Sequence, residues 1–84
     1  MGNAILIIDD TKSVRQQILD TLHGTDLFSD YFEAGNGLEG LKTLLNEKID
    51  IVLCDVEMPG MDGFKFLAMV SARKELQDIP ILLL

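Results

Sequence analysis

The chain has 84 residues, a net charge of −7 and a hydrophobic content of 48%. That length allows one small domain of modest stability, and that apolar share marks a packed core, not a disordered tail. The charge argues against nucleic acid as a partner, no apolar run approaches the ~18 residues of a membrane span, and the N-terminus lacks a signal-peptide pattern. The single cysteine rules out an internal disulfide and fits a reducing cytoplasm.

Ala4 to Ile8 reads as a strand buried on both faces. It runs straight into Asp9-Asp10. Thr11 is placed to cap a helix over Lys12 to His23, with Val14, Ile18, Leu19 and Leu22 at helical spacing and Gly24 as its stop. Arg15 falls on the solvent side of that pattern and takes no role. His23, in the last turn, reads as a solvated partner of the helix dipole. A more polar strand follows around Ser29 to Glu33, as expected at a sheet edge. Gly35-Asn36-Gly37 is a turn. The next helix spans about Leu38 to Asn46, with Leu38, Leu41, Leu44 and Leu45 on one side.

Asp50 to Cys54 is the third strand, and it delivers Asp55 at its end. Pro59-Gly60 breaks the backbone. Asp62-Gly63 caps a third helix running from Phe64 to about Lys74, with Phe64, Leu67, Ala68 and Val70-Ser71 framing its buried stripe. Met58 and Met61 pack around the turn, and Cys54 is a small core residue. Gln77-Asp78 turns the chain into a fourth strand over Ile79 to Leu84.

Alternating strands and helices imply a doubly wound parallel α/β sheet with right-handed crossovers. Asp9-Asp10 and Asp55 meet only if the first and third strands are neighbours. The polar second strand then lies outside the first, and the order is 2-1-3-4. The first helix covers one face, and the second and third cover the other. The crevice between strands one and three is the topological switch point, where such sheets bind ligands.

Clustered carboxylates repel one another, by about 4 kcal/mol per pair at ~4 Å and an effective dielectric of ~20. A divalent cation removes that cost. Hard oxygen donors at a half-open loop suit Mg²⁺, which keeps several waters and joins a phosphate.

Three runs carry a resemblance: Ile7-Ile8-Asp9-Asp10, Glu33-Ala34-Gly35-Asn36-Gly37-Leu38-Glu39, and Cys54-Asp55-Val56-Glu57-Met58-Pro59-Gly60-Met61-Asp62-Gly63. In this order and spacing they resemble the receiver domain of two-component response regulators. The resemblance implies a flavodoxin-like three-layer fold. It implies Asp55 as the phosphoacceptor, Asp9 and Asp10 as the acidic pair that holds Mg²⁺, and the backbone carbonyl of Glu57 as a further metal ligand. The Glu57 side chain falls at a position that varies in the family. The implied partner is a sensor histidine kinase or a phosphotransfer protein, and the implied location is the cytoplasm. On this reading the chain is a relay module more than an enzyme.

The family also places a Ser or Thr after the fourth strand and a Lys after a fifth, and Lys65 and Lys74 are on the wrong element to replace the latter. Residues 1–84 are therefore expected to be the N-terminal portion only of a receiver domain, truncated after the fourth strand. In this form the chain is expected to be phosphorylated slowly or not at all. It is also expected to form a homo-oligomer through the apolar edge of the fourth strand. The alternative is a Mg²⁺-dependent phosphohydrolase with an aspartyl-phosphate intermediate, suggested by Asp55-x-Glu57. A flavodoxin-like binding fold without phosphorylation is a third reading. The acidic loop after the first strand disfavours it, because a flavin phosphate needs an unlike charge there.

Overall fold

The computed structural model describes residues 3–84. Strand β1 (Ala4–Ile8) is followed by helix α1 (Lys12–His23), strand β2 (Asp30–Ala34), helix α2 (Gly37–Asn46), strand β3 (Ile51–Cys54), helix α3 (Gly63–Ser71) and strand β4 (Ile81–Leu83). The four strands are parallel, in the order β2-β1-β3-β4. The expected topology therefore holds.

β1 is buried along its whole length because both of its faces are covered. Ile5 and Ile7 point to one face and pack with Leu19, Ile18 and Leu22 of α1. Ala4, Leu6 and Ile8 point to the other and join Leu41 and Leu44 of α2 with Phe66 and Val70 of α3. The two-residue period of a strand divides one apolar run between two layers.

Several local expectations change. Thr11 stands at the start of α1, but its side chain makes no capping hydrogen bond. Its N–H instead donates to Asp9 Oδ1 at 2.8 Å. Gly24 ends α1 in an ordinary right-handed conformation, and the left-handed residue in that turn is Asp26, with φ 56°. β2 lies one residue later than the stretch read from sequence.

On α2, Leu41 and Leu44 are buried, but Leu38 and Leu45 are exposed and Gly37 and Gly40 face inward. Ile8 and Met61 pack where larger side chains at those glycines would sit. On α3 the stripe is Phe66 and Val70, with Phe66 0% exposed and Phe64 62% exposed. The stripe expected on Phe64 is therefore displaced: the sheet takes Phe66, which shares a face with Val70 four residues on. The helix ends at Ser71, and a separate 3-10 turn (Lys74–Leu76) buries Leu76 beyond it. β4 starts at Ile81, not Ile79, although the Pro80 carbonyl already accepts from Val52 N–H at 3.0 Å.

Candidate metal and phosphoacceptor site

The register of the two central strands builds the site. Ile8 pairs with Cys54, so the next residues, Asp9 and Asp55, emerge side by side. Asp55 N–H donates to the Ile8 carbonyl at 2.9 Å, and Asp9 N–H donates to the Ala34 carbonyl at 3.1 Å. Each aspartate is thus anchored by backbone bonds at the strand ends before its side chain is considered.

Asp9, Asp10 and Asp55 can each offer a carboxylate oxygen so that all three lie within 4.8 Å of one another. Asp9 is buried, Asp55 is half-buried and Asp10 is exposed. The arrangement runs from the protein interior to solvent, as a half-open cation site requires. Donors on opposite sides of an octahedral Mg²⁺ are ~4 Å apart, so carboxylates that approach this closely can reach one such ion by small side-chain adjustments, with waters in the remaining positions. The donor set is all oxygen, which also suits a hard cation.

The β3–α3 loop is shaped by local bonds. Glu57 N–H donates to Asp55 Oδ1 at 3.1 Å, an Asx-type turn that orients the carboxylate. The Glu57 side chain is exposed. Gly60 has φ +83°, the left-handed region that favours glycine. Asp62 caps α3 as expected, its carboxylate accepting from Lys65 N–H at 2.8 Å. Gly63 N–H donates to the Val56 carbonyl at 2.8 Å. A Cβ on Gly63 would lie 2.8 Å from the Asp55 carbonyl and 2.9 Å from Val56 Cα, so only glycine fits without moving the loop.

Beneath the acidic group, Cys54 is buried and unpaired. Burial, and then the charges of Asp55 and Asp9, push its thiol up to about 11. His23 stacks edge-on against Tyr31 at 4.1 Å, on the helix end away from the aspartates.

Arg15 is not where the helical pattern put it. Its side chain is only 15% exposed; the guanidinium donates from Nε to Glu33 Oε1 at 3.1 Å and from Nη1 to the Asp9 carbonyl. A helical side chain leans back toward the N-terminus of its helix, which carries Arg15 over the β1–α1 loop. The periodicity of α1 could not reveal this, because the partner Glu33 lies on β2. A charged residue late in the edge strand was the one available signal.

Comparison with known proteins agrees with this geometry. The model of the response regulator receiver domain family matches residues 5–84. The chemotaxis protein CheY-3 of Vibrio cholerae is 35% identical over 80 residues, covering 95% of this chain and 61% of that protein. The sensor histidine kinase CheAY of Helicobacter pylori is 39% identical over 80 residues, covering 93% of this chain and 10% of that protein. The crystal structure of V. cholerae CheY4 superposes with a TM-score of 0.89 at 30% identity, over 99% of this chain and 68% of that one. The chain thus spans 61% of CheY-3 and 10% of CheAY, less than two thirds of either relative. It belongs to the response regulator receiver domain family, and its fold is the flavodoxin-like fold of receiver domains. Nothing in these matches supports the phosphohydrolase alternative.

Proposed function

We propose that Asp55 is the phosphoacceptor of this receiver domain. Asp9, Asp10, Asp55 and the backbone carbonyl of Glu57 would hold Mg²⁺. The observation that carries the reading is the meeting of three carboxylates, from two strand ends, within 4.8 Å. The ion would neutralise charge on the phosphoryl oxygens and on the carboxylates around them.

The chain's own residues supply the rest. Asp55 is held by Glu57 N–H at one carboxylate oxygen, which leaves the other to act as nucleophile. That oxygen attacks the phosphorus of a phosphohistidine in line. An O–P bond forms, the N–P bond breaks, and the imidazole leaves and takes up a proton. The product is an acyl phosphate on Asp55, which water later hydrolyses. The donor would be a sensor histidine kinase or a phosphotransfer protein. A receiver-like segment inside the histidine kinase CheAY supports that pairing.

Three further features belong to the proposal. Cytoplasmic placement would keep Cys54 a thiol, and among the described residues no helix is long and apolar enough to cross a membrane. The net charge of −7 argues against nucleic acid as a partner of this segment. Self-association through β4 is supported by its free edge, since β4 pairs only with β3 among the described residues and Leu82 is 51% exposed. Light scattering at micromolar concentration should give at least twice the mass of one chain; a monomer would remove that part.

The test of the acceptor is labelling by acetyl phosphate or a phosphohistidine donor, with and without Asp55→Asn. In the complete receiver domain the unsubstituted protein should acquire an acid-stable, base-labile phosphate, and the amide variant should acquire none. A label on the variant at another residue would overturn the assignment.

A further inference from the structure

Two of the three clustered carboxylates sit on one short loop, Asp9–Thr11. That loop is tied down at Asp9. The Asp9 N–H donates to the Ala34 carbonyl at 3.1 Å, and its Oδ1 accepts from Thr11 N–H at 2.8 Å. Its carbonyl accepts from the Arg15 guanidinium, whose Nε donates to Glu33 Oε1 at 3.1 Å. The guanidinium also lies against Gly35, where a Cβ would stand 3.6 Å from Nη1. One side chain therefore joins the acidic loop to α1 and to the edge strand β2.

We propose that Arg15, oriented by Glu33, is a positioning residue for the cation site: it fixes the peptide plane between Asp9 and Asp10 and so aims the Asp10 carboxylate. The inference rests on the reading of Asp9, Asp10 and Asp55 as that site. The carbonyl of Asp9 and the N–H of Asp10 share one rigid plane. Holding the carbonyl oxygen sets the direction in which the chain enters Asp10. Asp10 is exposed, so packing does little to aim it. A guanidinium suits the task because its planar fork serves two partners at once, which an ammonium on a flexible stem does less well.

Charge and geometry predict opposite outcomes, which makes the role testable. As a bare positive charge beside the site, Arg15 repels Mg²⁺, and removing it should tighten binding. As a positioning residue it orders the ligands, and removing it should weaken binding. Partners that orient metal ligands typically change affinity by ~10–100-fold when lost.

The experiment is a calorimetric titration with MgCl₂ on the full chain, with urea unfolding in the absence of Mg²⁺ as the stability reading. Asp10→Ala must lose binding; if it binds as well as wild type, the site reading itself fails and the inference falls with it. With that control in place, Arg15→Ala should bind Mg²⁺ about tenfold more weakly. Binding equal to or tighter than wild type would overturn the inference and leave the site reading standing. Glu33 supplies an independent arm should Arg15→Ala not fold. Glu33→Gln keeps an acceptor for Nε and loses the charge, whereas Glu33→Ala loses both. Glu33→Gln should bind within about twofold of wild type and Glu33→Ala several-fold more weakly. Equal affinities for the two would mean that Glu33 acts through charge alone, which also overturns the proposal.

Discussion

The loop between β1 and α1 and the loop between β3 and α3 deliver carboxylates to one place by different means. The first has three residues, Asp9 to Thr11, and beyond its own bond from Thr11 N–H to Asp9 Oδ1 it is held by a side chain from α1 together with a carboxylate from β2. The second has eight, Asp55 to Asp62, and is held mainly by itself: the Asx turn at Asp55, the left-handed Gly60, the cap at Asp62 and the close approach at Gly63. A short loop can close only a bond or two of its own and borrows its remaining partners from other elements. A longer loop can close its own hydrogen bonds, provided that glycine stands where the backbone crowds. Substitutions in the second loop should therefore show in local stability, and those around the first should show in ligand geometry.

The largest effect should come from the residue that underlies both loops. Cys54, whose pKa is raised to about 11 from 9.0, should carry about 100-fold less thiolate at neutral pH than an unfolded cysteine. Its alkylation in the folded chain should be slower by at least that factor than in urea; comparable rates would mean that the thiol is not buried between the loops. The folded state holds this proton more tightly than the unfolded chain does, so the contribution is complete below about pH 9 and is lost as pH rises toward about 11.

Next is Gly63→Ala. Its Cβ would meet the backbone of Asp55 and Val56, which cannot swing aside as a side chain can. A cost of about 1–3 kcal/mol in urea unfolding is expected. A neutral result would show that the second loop gives way more readily than its contacts imply. Asp62→Ala removes the capping bond to Lys65 N–H and should cost about 1 kcal/mol in the same measurement. The smallest effect is expected at Thr11, whose side chain makes no capping bond at the start of α1. Thr11→Ala should change stability by less than about 0.5 kcal/mol. A loss equal to that at Asp62 would mean that the two loops start their helices in the same way after all.

The legibility of each feature depends on how far away its cause lies. The second loop was readable because its signals are local: Pro59-Gly60 for the turn and Asp62-Gly63 for the cap. The strand order was readable because the paired aspartates had to meet and the polar second strand had to lie outside, and the register Ile8 with Cys54 agrees. Helical spacing puts Phe64 in line with Leu67 and Ala68, which is why the sequence points to the wrong phenylalanine, and only the position of the sheet selects Phe66. Thr11 shows the same limit at a helix start. Its type suits a cap, yet Asp9 takes the N–H that matters there.

By itself the sequence determined which residues are apolar, with what period, and which turns and carboxylates punctuate them. Those properties act over a few residues, and they suffice for the order of elements, the parallel sheet and the identity of Asp9, Asp10 and Asp55. The tertiary structure decided which side of each helix is buried, and it turned Arg15 from an apparent surface residue into a tie between α1, β2 and the acidic loop. The physical reason is that a guanidinium finds its partners in space, and Glu33 comes within its reach only after β2 has paired with β1.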